Sequence, residues 1–593
     1  MLLEKLREYA DVELGQDLPP AGYQKQPVRY FIAFTEAGVL VPQMLDTRDT
    51  DATRGALRLA PHVKRSVGIA PKLLADTGEY VLGIARDDPK KPPKPERVAQ
   101  QHAQFIELVE ECARDTGEAS VAVVARFLRD GAQLPPEQVA NLDASATISF
   151  RVGNVYPIDL PGVRAWWAKR RAPAAAVEGT AGDQDECIVC GAIGPVLERH
   201  PLKIKGIPGG QILKDLISGN AKAFESYGME ASRNAPTCAT CAEAYGNALN
   251  ALLADKATSI STKELAYAFW TAPKPHKKAS FTPVPLLSRP QDHPGEVRAL
   301  LESVWGGNAD ATSLDPTRFY AVALGASGAR VVVKDWIDTT VGEAQRRLAR
   351  YFMLQELVQW NGEPSTFLPM KWIANSTVHK KGTPAPNVGR SLLRLAFGGD
   401  ALPLDLLYQA VRRNRAEQSV DRPRAVLIKM VLGSRGLIKM EERGIMTGLD
   451  PKDDHPAYLC GRLLETLSQI QYAALGKTNS TVVSRYYGTA SASPQTVFPT
   501  LLRTAGAHLR RMQRDSRSAH SRLDKQVQDI LWMLGGRFPK MFNAEDQGRF
   551  ALGFYHQRAD TRRYFEELRA KKSASQDVPE LEELEELTFD SET

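Results

Sequence analysis

Four cysteines set as two short pairs are the residues of this 593-residue chain whose types and spacing best suit chemistry. Cys187 and Cys190 form one Cys-x-x-Cys unit, Cys238 and Cys241 form another, and 47 residues lie between Cys190 and Cys238. Each short knuckle can present two sulfurs to one ion, so together they supply the four thiolates of a tetrahedral structural zinc. The bland alternative is a set of reduced thiols in a metal-free fold. The separation exceeds that of a compact ribbon, so the intervening segment must loop out. Cys112 and Cys460 stand alone and are expected in cores. Six cysteines in so long a chain do not form a disulfide scaffold.

Other constellations carry less. Pro236 to Cys241 matches half of the zinc-deaminase pattern, but His200-Pro201-Leu202 has no glutamate where the general acid/base should stand. Four thiolates would also close the coordination sphere that a catalytic zinc leaves open. Gly206-Ile207-Pro208-Gly209-Gly210 lacks the Gly-Lys-Ser/Thr ending of a phosphate-binding loop and reads as a turn. Asp453, Asp454 and His455 could be drawn as a metal cluster, yet at a helix entrance such residues more often cap it. No nucleophile, base and orienter set can be named, and the chain is expected not to be an enzyme.

Basic residues say more. In PTLLRTAGAHLRRMQRDSRSAHSR, Arg503, Arg510, Arg514 and Arg517 fall at offsets 0, 7, 11 and 14, one stripe of a continuous helix, while Leu502, Leu509 and Met512 can face a core. An arginine row of this kind suits a phosphate backbone and is blind to sequence; the plain alternative is a solvated face. Arg48, Arg54, Arg58, Lys64, Arg65 and Lys72 form a second basic cluster around RLAPHVKRSVGIAPKLL, able to enter a groove. Net charge is +6, and removing the eight acids of Ser573 to Thr593 leaves +14, a basic body that suits a nucleic-acid partner.

These residues need elements to position them. Val28, Tyr30, Ile32 and Phe34 alternate before a Glu-Ala-Gly turn and a second apolar run, which predicts a hairpin over 28–45. ARDDPKKPPKPERVAQQ reads as an exposed loop whose Lys90, Lys91 and Lys94 are solvated or touch phosphate. The small, polar run from Arg171 to Glu186 marks a boundary. RFYAVALGASGARVVVKDW predicts a second hairpin turning at Gly325 to Gly328, and beyond Gly342 the chain reads as mainly helical. In HPAYLCGRLLETLSQIQYAALG, Leu459, Leu463, Leu467 and Ile470 share one face, with Arg462, Glu465 and Gln469 elsewhere on the wheel.

The expected fold is a multidomain α+β chain. It comprises an N-terminal hairpin-containing domain (1–180), a zinc-knuckle insertion (181–270), a central α+β region (271–445), a C-terminal α-helical bundle (446–572) and an acidic tail (573–593). The start is a charged amphipathic helix rather than a signal, and no stretch approaches the ~18 apolar residues of a membrane span, so a cytoplasmic chain without a membrane partner is expected.

Seven stretches in order, from LPPAGYQKQPVRYFIAFTEAGVL through PHVKRSVGIAPKLLADTGEYVLG, SYGMEASRNAPTCATCAEAYGNALNALL and YYGTASASPQTVFPTLLRTAGAHL to DQGRFALGFYHQR, resemble the large-subunit family of the subtype I-C CRISPR Cascade complex. They span Leu18 to Arg558. The resemblance implies a subunit at the foot of a crRNA-bound backbone that reads the short motif (PAM) flanking a double-stranded DNA target. It would also help unwinding and R-loop formation, and hold the duplex for a recruited helicase-nuclease in antiviral defence. It places Lys64, Arg65, Ser66 and Lys72 near the flanking motif, in a groove that the sequence does not decide.

The C-terminal helical region resembles the small subunit made from an internal start in the same gene. Met430, Met440 and Met446 are candidate starts, as is a later non-methionine codon, and the arginine stripe would line the displaced strand. Structural zinc is argued from cysteine spacing and not from the resemblance. The competing readings are a stand-alone zinc-ribbon DNA-binding protein, which would need a recognition helix that is not found, and a metal-dependent nuclease or deaminase.

Overall fold

The computed structural model describes residues 2–15, 22–48, 54–63, 68–86, 94–140, 142–171, 184–200, 202–219, 222–225, 228–272, 281–305, 315–359, 366–380, 382–438 and 447–574. Lys64, Arg65, Ser66, Met440, Met446 and most of the acidic tail lie outside these residues. The architecture is mixed α and β, with small sheets followed by a helical C-terminal region, as the α+β expectation requires.

Helix α1 (Leu2–Tyr9) comes first but does not join the strands that follow it. Its Leu6, with Ala10 beyond it, is buried in the cysteine-bearing part of the chain. The N-terminal core is built instead on a four-stranded sheet in the order β3-β2-β6-β5, comprising β2 (Tyr30–Phe34), β3 (Leu45–Asp46), β5 (Asp76–Thr77) and β6 (Thr147–Val152). A two-stranded ribbon, β1 (Tyr23–Val28) with β4 (Ala56–Pro61), stands beside it. The expected hairpin is present between β2 and β3, with Thr35 N to Val39 O (2.8 Å) closing its turn and Gly38 at φ 80°. Val28, assigned to the same run, belongs to β1. All five β2 residues are buried because a central strand is covered on both faces, so strict alternation is lost.

Helices α2 (Pro95–Thr116), α3 (Ala119–Arg129) and α4 (Pro161–Arg171) complete this core with Phe105, Leu108, Val121, Val124, Leu128 and Trp167; Cys112 is buried among them as expected. The proline-rich loop ends earlier than its composition suggests. Pro95 takes the first helical position, where its fixed φ and missing N–H are tolerated, so Glu96 to Gln101 are helix rather than loop.

The cysteine region is not an insertion into that core. Helix α5 (Ala239–Ala254) packs with α1 on one face of the antiparallel sheet β12-β11-β10-β9, and the short hairpin β7 (Gln184–Glu186) with β8 (Ile193–Pro195) adds only Val189 of its turn to that core. The strands are β9 (Ser259–Ser261), β10 (Ala266–Thr271), β11 (Arg318–Ser327) and β12 (Arg330–Thr340). The second hairpin is β11–β12, turning through Gly328 at φ 59°. Ala266, Ala268, Trp270, Tyr320, Val322 and Leu324 face α5, whereas Leu265, Tyr267, Phe269, Phe319, Ala321 and Ala323 face the helical body. The expected boundary at 270/271 therefore cuts through a strand buried on both sides.

The helical body begins with α6 (Val341–Gln355), α7 (Leu404–Glu417) and α8 (Arg422–Ser434), which share one hydrophobic core with α9 (Pro456–Leu475), α10 (Val482–Ala490), α11 (Pro494–Asp515), α12 (Arg517–Met533) and α13 (Ala544–Ala574). The boundary expected at 446 thus falls inside a single core. Leu459, Leu463, Leu467 and Ile470 are buried as expected, but Arg462 and Glu465 are buried too, because α10, α11, α12 and α13 surround α9. Arg462 Nε donates to Gln557 Oε1 at 3.3 Å, and Tyr458 Oη meets His556 Nδ1 at 2.9 Å. No described helix is long and apolar enough to cross a membrane.

The α9–α13 crossing is set by two glycines. A Cβ on Gly461 would fall 2.0 Å from Phe550 O, and one on Gly553 would fall 2.1 Å from Tyr458 O. Gly553→Ala is expected to destabilise the chain by about 3 kcal/mol or more, since a backbone carbonyl cannot step aside. A thermal midpoint equal to that of the parent protein would contradict the close packing.

Candidate metal centre and nucleic-acid interface

The two knuckles are built by different local means. Cys187 and Cys190 sit in the turn between β7 and β8, closed by Gly191 N to Cys187 O (2.7 Å) and Cys187 N to Ala192 O (3.0 Å), with Gly191 at φ 71°. Cys238 is the N-cap of α5 and Cys241 lies in its first turn, where the unpaired N–H groups and the positive end of the helix favour thiolate. Two backbone hydrogen bonds join the pieces: Ile188 N to Pro236 O (2.9 Å) and Leu197 N to Thr237 O (2.9 Å). The residues between them loop out, as the spacing demands, and bury Ile204 and Ile207 against α5.

All four sulfurs consequently lie within 4.8 Å of one another, and Cys190 Sγ is 3.9 Å from Cys238 Sγ. A tetrahedral zinc with Zn–S of ~2.3 Å requires sulfurs about 3.8 Å apart, so the donor set fits such an ion. Burial alone would push the Cys187 thiol up, but the amides of Cys238, Val189 and Cys190 point at its sulfur and bring it down to about 7. Burial, and then the crowding of neighbouring thiols, pushes Cys241 well above the ordinary thiol range, and Cys238 is raised by burial too. Four thiolates cannot share this space without a cation. Arg7 of α1 offers one charge, donating from Nη1 to Cys241 Sγ at 3.3 Å.

Neighbouring candidates resolve into structure. His200 is buried and hydrogen-bonded through Nδ1 to Tyr245 Oη at 2.5 Å, and burial pushes it down to about 4 against the pull of Asp215, so it is neutral. The Gly206–Gly210 turn aims carbonyls, not amides, at a charge: buried Lys214 donates to Ile207 O (2.7 Å) and Gln211 O (2.5 Å). Asp453 and His455 act at a helix start, with His455 N on Asp453 Oδ1 (2.9 Å) and Ala457 N on His455 Nδ1 (3.2 Å).

Of the N-terminal basic cluster, Lys64, Arg65 and Ser66 lie outside the described residues. Lys72 is half-buried, its Nζ donating to Gln26 Oε1 of the ribbon at 3.1 Å and its amide to Asp76 Oδ2 at 2.8 Å. Arg48 pairs with Asp46 at 2.7 Å. Arg58 lies 4.0 Å over the Tyr156 ring and 3.5 Å from Asp159, so these two arginines are already engaged.

The C-terminal arginines are arranged differently. Arg503, Arg510 and Arg514 are exposed on α11 and make no hydrogen bond or ion pair among the described residues, while Met512 is buried and Leu502 and Leu509 pack on the core. Arg517 leaves the stripe. The helix ends at Asp515, Ser516 is extended (φ −154°, ψ 85°), and Arg517 opens α12, so the 14-residue offset no longer describes one helical face. Sequence reasoning also passed over Arg412, Arg415 and Arg485, which line one cavity from two helices; the run Arg412-Arg413-Asn414-Arg415 was the available signal. Since Arg510 and Arg514 have no partner to lose, the double variant Arg510→Glu, Arg514→Glu should fold with its stability within about 0.5 kcal/mol of the parent; a cooperative unfolding curve shifted well beyond that would mean the arginines are structural.

No curated protein is significantly similar to the chain. The family described as CRISPR-associated protein (Cas_Csd1) matches residues 5–562, nearly the whole length and through every unit described above. The chain therefore belongs to the CRISPR-associated Csd1 family, the large-subunit family of type I-C systems.

Proposed function

We propose that this chain is the DNA-recognising large subunit of a type I-C Cascade, a binding protein and not an enzyme. It would read the flanking motif in duplex DNA through its N-terminal unit, open the duplex, and support the R-loop formed by the crRNA-bound backbone and foot subunits. The observation that carries the reading within the family is the uncompensated arginine face of α11, whose three exposed guanidinium groups suit a phosphate backbone. Membership of the family supports the assembly; the flank-reading role is inferred from the resemblance around Lys64 to Lys72. A helicase-nuclease would then supply the cutting chemistry.

The helical region from α9 to α13 would correspond to the small subunit that the resemblance implies is made from an internal start. A start at Met430 would begin inside α8, where Met430 is fully buried, so such a product would need another surface to cover the face of α13 that here packs on α7 and α8.

Cys187, Cys190, Cys238 and Cys241 would hold a structural zinc. The ion would join β7–β8 to the start of α5, and its closed thiolate sphere leaves no position for a reacting water. About one zinc per chain is expected from metal analysis of the purified protein; well-folded protein free of metal would refute the site.

The functional test compares duplex binding by the guide-loaded backbone complex, with and without this chain, on targets with randomised flanking bases. A flank-dependent gain in affinity is expected. Equal binding by the chain alone, without backbone or guide, would point to a stand-alone DNA-binding protein. In the same assay, Arg510→Glu with Arg514→Glu should weaken binding and reduce the slope of log affinity against log salt by about 2. An unchanged slope would remove α11 from the DNA path.

A further inference from the structure

A second arginine site lies away from the α11 face, in a groove of about 600 Å³ between α7, α10 and the first turn of α13. Arg412 and Arg415, one turn apart on α7, form one wall, and Arg485 of α10 forms the other. All three are exposed, and their guanidinium groups have no hydrogen-bond or ion-pair partner among the described residues. No carboxylate lines the groove. The smaller cavity around Arg522 and Lys525 differs, since Asp529 and Asp560 balance its charge.

Two further features restrict the ligand. Tyr408 stands at the rim with 57% of its surface exposed, an aromatic face without a covering partner. Gln547 on the α13 side is uncharged and ties its Nε2 to Phe542 O at 3.1 Å, so that side brings no anion to oppose the arginines. The walls are held in register by Gln418, at φ 52° just beyond α7: its Oε1 accepts from Gly488 N at 3.3 Å and its Nε2 donates to Arg415 O at 2.5 Å. The groove is therefore a fixed recess with three unbalanced cations and one stacking face.

We propose that this groove binds a short single-stranded nucleic-acid segment, with phosphates on Arg412, Arg415 and Arg485 and one base on Tyr408. Guanidinium groups match phosphate oxygens in pairs, and base–aromatic stacking tolerates any sequence. The recess accepts one or two nucleotides and excludes a duplex. An acidic peptide would satisfy the arginines but leave Tyr408 without a role. The site is independent of flank reading, because it needs neither backbone nor guide.

The test measures anisotropy of labelled 12-nucleotide DNA, RNA and abasic DNA probes with the full-length chain, with a glutamate-rich peptide as competitor. Arg412→Glu with Arg415→Glu, and separately Arg485→Glu on the opposite wall, should weaken the base-bearing probes on the order of tenfold and flatten their salt dependence. Tyr408→Ala should cost the base-bearing probes on the order of tenfold and leave the abasic probe unchanged. Arg298→Glu, an equal charge change on an exposed helix elsewhere, is the control and should alter nothing. Comparable binding of DNA and RNA is expected, since phosphate and base are common to both. Groove variants that behave like Arg298→Glu would overturn the proposal, as would equal loss of abasic and base-bearing probes in Tyr408→Ala, or displacement of the oligonucleotides by the acidic peptide.

Discussion

Strands β10 and β11 carry apolar side chains on both faces, and this two-sided burial ties the rest of the molecule together. One face receives α1, α5 and the segment between the cysteine pairs; the other receives the long helical core. An antiparallel sheet more often keeps one face for water. Here neither face can be released, so the cysteine-bearing unit and the helical body form one folded unit. The expectation of a knuckle inserted in an N-terminal domain is not confirmed: the segment that carries the knuckles buries its apolar surface against α1 and this sheet.

The same arrangement explains how the chain's first helix reaches a site far along the sequence. Leu6 and Ala10 are covered by the cysteine-bearing unit, and on the adjacent turn Arg7 lies against Cys241. A zinc ion with four thiolates carries a net charge of −2, which a buried site must offset with N–H donors or cations. The amides of Cys238, Val189 and Cys190 and the guanidinium of Arg7 would supply that offset if zinc is held there. Hydrophobic docking of α1 and electrostatic support of the cysteines thus depend on one another.

Cations are used in two ways. In the N-terminal unit Arg29, Arg48 and Arg58 are held by acids and rings, so they stabilise the sheet edge and contribute little free charge to a ligand. Arg503, Arg510 and Arg514 on α11, and the arginines of the α7–α10 groove, have no such partners among the described residues. A net charge read from composition cannot separate these groups, because pairing depends on where Asp46, Asp143 and Asp159 come to rest.

Much of the chain was legible in its residues. Both hairpins, the helical C-terminal region, the core positions of Cys112 and Cys460 and the meeting of two Cys-x-x-Cys pairs follow from periodicity, turn residues and ligand spacing, which act over a few residues and survive any tertiary arrangement. Other features were decided only by tertiary contact. Arg462 and Glu465 read as the polar side of an amphipathic helix, yet four neighbouring helices bury them. Arg517 fits a 14-residue stripe, yet the extended Ser516 breaks it. Arg412 and Arg415 lie 70 or more residues from Arg485 in sequence and meet it across a recess. Local pattern fixes which face of a segment is apolar, whereas the number of neighbours a segment acquires, and which charges they bring, is set by how distant segments pack.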